Sequence, residues 1–163
     1  MERHVQFLPS IFVLLVASYV ANACSCMRLT LEQSLCPEYN KTVLMANFKN
    51  TKETNLDTYG NATTDPNAPN GRYDMNLEQS FKNGTILLDT DNGGFFMYFP
   101  RLDSHCGRRF NKTDSYLFVG SVDSMGDFCS NSCEVVISKA DVVSNSTIMD
   151  LLQGNQPRNC AHL

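Results

Sequence analysis

Three familiar catalytic signatures are missing from this sequence. It has no His-Glu-x-x-His helix, no Gly-x-Ser-x-Gly elbow and no glycine-rich loop of the kind that cradles phosphate. Of its histidines only His105 and His162 follow position 23, and neither stands in a hydrolase pattern, so the chain reads as no enzyme. Charge of one sign is also scarce. The formal net charge is −4, and no basic stripe or Lys/Arg cluster points to nucleic acid or an anionic membrane. Arg108-Arg109 is the only arginine pair and reads as ordinary solvated surface. Beyond the first residues no apolar run is long enough to span a bilayer. There is no internal repeat and no alternation of strands with helices, which argues against a parallel α/β sheet.

What is present begins with a secretory signal. Arg3 and His4 lie in a polar start, residues 11–17 are apolar, and Ala21-Asn22-Ala23 is a small-residue cleavage site. Residues 1–23 are therefore expected to be removed, which leaves 140 of the 163 residues, the size of one domain at 24–163. The expected mature chain starts at Cys24-Ser25-Cys26, so its free amino group lies two residues from a second cysteine. Chain ends usually fray, whereas this one is placed to be pinned. All seven cysteines (24, 26, 36, 106, 129, 133 and 160) follow the cleavage site, and outside the cell they read as a disulfide framework rather than a metal clip. Seven is odd, so at least one thiol is free or pairs with another chain. Five Asn-x-Ser/Thr sequons, at Asn40, Asn61, Asn83, Asn111 and Asn145, are candidate glycan sites.

The remaining segments read mainly as strands. Residues 29–35 form a short helix with a capping box from Thr30 to Gln33, closed by Cys36 and Pro37. Residues 42–48 are a strand, 51–70 a long mobile polar hairpin loop, and 71–81 a strand with Tyr73, Met75, Leu77 and Phe81 on one face. Asn83-Gly84 and Asp91-Asn92-Gly93-Gly94 are turns around a short β-prone run at 85–88. Residues 94–99, 115–122 and 127–136 complete the strands, the last with Cys129 and Cys133 on one face if regular. Residues 147–153 form a helix with N-caps offered by 144–146 and a stop at Gly154. Five or six short strands and two short helices suggest a small closed or partly closed β-barrel, or a sandwich. The remaining chemistry is the N-terminus itself: a neutral α-amine beside a carbonyl oxygen, both able to bind one metal ion, held as a wedge by disulfides at Cys24 and Cys26.

With this start, the sequence resembles the tissue inhibitors of metalloproteinases. The resemblance rests on Cys24-Ser25-Cys26 followed after nine residues by Cys36. Four further segments agree in order: 43–48, Arg72-Tyr73-Asp74 with Phe81-Lys82 behind it, 98–107, and 116–120. Cys106-Gly107 and Cys160 fit the family's spacing, and the resemblance spans 24–163. It implies one netrin-like (NTR) domain, a mainly β, OB-fold-like barrel of five to six strands with short flanking helices. It also implies three disulfides, Cys24–Cys106, Cys26–Cys133 and Cys36–Cys160, each long-looped enough to contribute about 4–5 kcal/mol in the chain-entropy model. Cys133 is chosen over Cys129 because its distance in sequence from Gly120 fits the family better, which leaves Cys129 as the odd cysteine.

The implied function is that of a secreted, extracellular inhibitor with no cofactor of its own. In the family the first cysteine's amine and carbonyl coordinate the catalytic zinc of a matrix-type metalloproteinase and displace its water; here that role falls to Cys24. Ser25 then points into the pocket beside the zinc. Cys26, Met27 and the segment Leu102-Asp103-Ser104-His105 complete the expected protease contact. The chain departs from the family in having Met27-Arg28 where a proline is common, in a longer loop at 51–70, and in showing no counterpart to the cysteine-rich C-terminal domain. The competing reading is a netrin-like module that engages a receptor or an extracellular-matrix protein without inhibiting a protease. Only the inhibitor needs a free amine at Cys24.

Overall fold

The first helix forms for reasons local to the sequence. In α1 (Leu31–Leu35) the Thr30 hydroxyl accepts from the Gln33 amide at 3.1 Å, and the Gln33 side chain accepts from the Thr30 amide at 2.9 Å. This reciprocal capping box leaves two fewer orphan donors at the helix start. The computed structural model describes residues 29–65, 67–85, 87–90, 93–101, 107–154 and 160. Among these residues follow six strands and two more helices: β1 (Thr42–Leu56), β2 (Asn70–Lys82), β3 (Gly94–Pro100), β4 (Ser115–Val122), β5 (Phe128–Cys129), β6 (Val136–Ser138), α2 (Lys139–Ser144) and α3 (Ser146–Gln153). No helix among the described residues is long and apolar enough to cross a membrane.

The sheet curls back on itself. Its order is β1-β2-β3-β5-β4-β6, and β1 also pairs with β4, so five strands form a partly closed ring with β6 on the outer part of β4. All pairings are antiparallel except β3 with β5, where Met97 lies opposite Phe128. Closure at β5 is thin, because that strand has two residues.

Strand alternation then builds two cores. Leu44, Ala46 and Phe48 of β1 face inward with Tyr73, Met75, Phe95, Met97, Phe99, Phe118 and Phe128. Val43 and Met45 face outward with Leu117 and Val119, against Leu31, Leu35, Val142 and Leu152 of the helices. The first part of β1 is therefore buried on both faces, whereas β2 leaves one face wetter. Phe110 plugs one end of the ring, its centroid 4.9 Å from Phe99, 5.6 Å from Phe48 and 5.7 Å from Phe118 in edge-on and tilted contacts. Gly120 is required by a close approach, since a Cβ there would meet the Cys129 carbonyl at 2.4 Å and the Phe128 ring at 2.5 Å.

Several sequence expectations need correction. The polar stretch from 51 is not all loop: β1 continues to Leu56 after a bulge between Phe48 and Glu53, and β2 begins at Asn70. The reason is tertiary, since Glu53 pairs with Arg101 and Lys112 while Leu56 is only 2% exposed. The described part of 85–88 is not strand. Its neighbourhood is held by side chains instead, with the Gly84 amide donating to Thr42 Oγ1 at 3.0 Å and the Thr85 amide to Asn40 Oδ1. The single strand expected at 127–136 is two short ones. Asn131 Oδ1 accepts from the Cys133 amide at 2.8 Å and turns the chain between them. Helix α2 was not expected; Ser138 caps it by accepting from the Asp141 amide at 3.1 Å. Helix α3 ends as anticipated at Gly154, which is left-handed at φ 76°.

Candidate functional site

The site residues named by the sequence, Cys24, Ser25, Cys26, Met27, Leu102, Asp103, Ser104 and His105, lie outside the described residues, as does Cys106. Their described neighbours are Leu29 on one side and Gly107 on the other. Both line one concavity of about 480 Å³ together with Arg108, Ser132, Cys133, Glu134, Val135 and Val136. Leu29 and Gly107, far apart in sequence, thus come to the same place, beside the turn between β5 and β6.

The segment that leaves this place is firmly held. Cys36, just after α1, is joined to Cys160 across 124 residues of sequence, a loop length worth about 5 kcal/mol in the chain-entropy model. The ammonium of Lys82, at the end of β2, donates to three carbonyls of the same segment, Ser34 at 2.9 Å, Cys36 at 2.6 Å and Tyr39. One cation therefore satisfies carbonyls at and beyond the C-terminal end of α1, where the helix dipole also favours positive charge.

The other wall carries its own pair. Lys41 lies 2.5 Å from Glu134 Oε1 and 3.1 Å from Ser121 Oγ, tying the start of β1 to the turn before β6. Glu134 Oε2 is buried without a hydrogen-bond partner among the described residues. Arg108 donates from Nη1 to the Val136 carbonyl at 3.0 Å.

The cysteines sort into two kinds. Cys133 is disulfide-bonded, as are Cys36 and Cys160 with each other, whereas Cys129 is free. Burial, reinforced by the carboxylates of Asp123, Asp127 and Glu134, pushes the Cys129 thiol up to about 11. The ligand atoms of Cys36, Glu38 and Cys160 lie within 4.8 Å of one another, but both sulfurs are in the disulfide and cannot act as thiolate ligands. All five sequon asparagines are exposed.

Sequence reasoning missed Lys82 as a staple and the Lys41–Glu134 pair. Neither has a local signal, because each joins segments at least 43 residues apart. No known family's sequence model matches the chain, and a comparison with curated proteins finds no match.

Proposed function

We propose that the chain is a secreted inhibitor of zinc metalloproteinases, of the tissue-inhibitor type, built on an OB-fold-like netrin domain. The observation that carries this reading is the convergence of Leu29, Gly107 and disulfide-bonded Cys133 on one concavity. These are the described neighbours of the residues expected to form the wedge and its flank. The five-strand ring with a helical layer over β1 and β4 supports the same fold assignment.

In the proposed mechanism the amine and carbonyl of Cys24 coordinate the protease zinc and displace the water that serves as nucleophile. Ser25 enters the adjoining pocket, and Cys26, Met27 and residues 102–105 cover its rim. The scaffold's contribution is rigidity behind that edge: an anchored α1, a bridged Cys36 and a bridged Cys133 leave less of the chain to be ordered on binding.

Coordination needs the neutral amine, whose ordinary pKa is about 7.7–8.0. Binding therefore releases a proton and weakens as pH falls below that range. N-terminal sequencing of the secreted protein, with inhibition of a matrix-type metalloproteinase measured from pH 6 to 8.5, tests the reading. A mature chain beginning at Cys24 whose inhibition strengthens with pH is expected. A chain that begins elsewhere, or that folds and does not inhibit, leaves a netrin-like module that binds a receptor or matrix protein.

A further inference from the structure

A second concavity, at the end of the ring plugged by Phe110, gathers four of the chain's thirteen lysines and arginines. It measures about 220 Å³ and is lined by Arg101, Arg108, Arg109 and Lys112, with Glu53, Tyr73 and Phe110. Among the described lining residues Glu53 is the single carboxylate, so the site holds a formal surplus of positive charge in a chain whose net charge is −4. The sequence shows only the adjacent pair Arg108-Arg109; the fold adds Arg101 from the end of β3 and Lys112 from the loop before β4.

The cations divide into two groups. Lys112 Nζ lies 3.4 Å from Glu53 Oε2, donates to the Thr51 carbonyl at 3.1 Å and sits 5.1 Å from the centre of the Tyr73 ring. Arg101 Nε lies 3.0 Å from Glu53 Oε1, off the line of a hydrogen bond. Glu53 is thus already bracketed by two cations. Arg108 spends one donor on the Val136 carbonyl, and the Arg109 guanidinium has no hydrogen-bond or ion-pair partner among the described residues. The segment that presents them is fixed, since Phe110 packs into the ring end and the Tyr116 hydroxyl accepts from the Asn111 amide at 2.9 Å.

Planar guanidinium forks match the oxygens of a sulfate or phosphate and hold them by paired, charge-assisted hydrogen bonds. The concavity is smaller than the roughly 300–1,000 Å³ of sites that enclose drug-sized ligands, so it suits a compact anionic group rather than a whole organic ligand. We propose that this concavity, formed by Arg101, Arg108, Arg109 and Lys112, is a binding site for a sulfate or phosphate group. It shares Arg108 with the concavity beside the proposed zinc-binding edge, but the anion site does not depend on that reading.

The test uses the full secreted protein and two probes, a fully sulfated heparin-derived tetrasaccharide and inorganic phosphate, titrated calorimetrically at low and at physiological salt. The desulfated tetrasaccharide serves as reference. If the group comes on a sugar chain, the sulfated probe binds at least roughly tenfold more tightly than the desulfated one and weakens with salt, because exposed charges are screened. If the source is the free ion, phosphate binds and the tetrasaccharide adds nothing. In either case Arg109→Gln weakens binding by roughly fivefold or more, since a charge-assisted contact is lost. Lys49→Gln, on an exposed residue outside the concavity, leaves binding unchanged. Arg109 has no hydrogen-bond or ion-pair partner among the described residues to lose, so its variant tests recognition rather than folding. Failure of both probes to bind, equal binding of the desulfated sugar, or unchanged binding by Arg109→Gln would overturn the proposal.

Discussion

Replacing Lys82 by Met removes the ammonium while keeping an unbranched apolar stem. The native ammonium has three donors and uses them on the carbonyls of Ser34, Cys36 and Tyr39. Charge-assisted bonds are worth roughly 1.5–3 kcal/mol each, but they are not additive, and part-buried carbonyls regain some water. A loss of about 1 kcal/mol per carbonyl gives about 3 kcal/mol in all. At roughly 3–4 °C per kcal/mol for a domain of this size, the melting temperature should fall by about 10 °C. Lys82→Arg keeps the charge, but a planar fork cannot meet three converging carbonyls, so it should recover about half of the loss. Thermal unfolding followed by circular dichroism, with disulfides intact, reads the difference. A Lys82→Met protein that melts within about 2 °C of the parent would refute the view that this cation staples α1 and its exit to the barrel.

Three further outcomes follow from the same geometry. Cys129 should resist alkylation by iodoacetamide at pH 8 and react faster as pH approaches about 11; because its proton is held more tightly in the folded state, ionisation should also lower stability as pH rises from the unfolded thiol's value of 9.0 toward 11. Rapid labelling at pH 8 would contradict this. Gly120→Ala drives a methyl into the Cys129 carbonyl and the Phe128 ring, and should cost about 1–3 kcal/mol, seen as a lower midpoint in urea. If Ser25 fills the protease pocket, Ser25→Gly should weaken inhibition broadly and larger residues should shift selectivity among proteases; identical inhibition profiles across the variants would remove Ser25 from the contact.

Elements set by local chemistry were legible in the sequence. The Thr30–Gln33 box starts α1, the Ser115–Val122 strand is found with its expected bounds, and Gly154 ends α3. Elements set by distant partners were not. The polar residues around Glu53 read as loop because Arg101 and Lys112, which hold them in the sheet, lie 48 or more residues away. The run at 127–136 has β-prone residues near its two ends, but Ser130-Asn131-Ser132 between them is turn-forming, and Phe128 enters the ring while Val136 pairs with Phe118 on the opposite part of β4. Helix α2 escaped notice because Val142-Val143 favours strand, and its start depends on one serine cap. The convergence of Leu29 with Gly107 was not visible from the chain order.

The most direct test of the central claim adds one alanine before Cys24. The extension replaces the α-amine by an amide nitrogen, a poor metal ligand, and moves the new amine away. A disulfide at Cys24 would need only the sulfur, so the fold should persist. The expected result is a secreted Ala-extended protein with an unchanged circular dichroism spectrum that has lost most inhibition of a matrix-type metalloproteinase. An extended form that inhibits as well as the parent would contradict zinc coordination by the Cys24 amine.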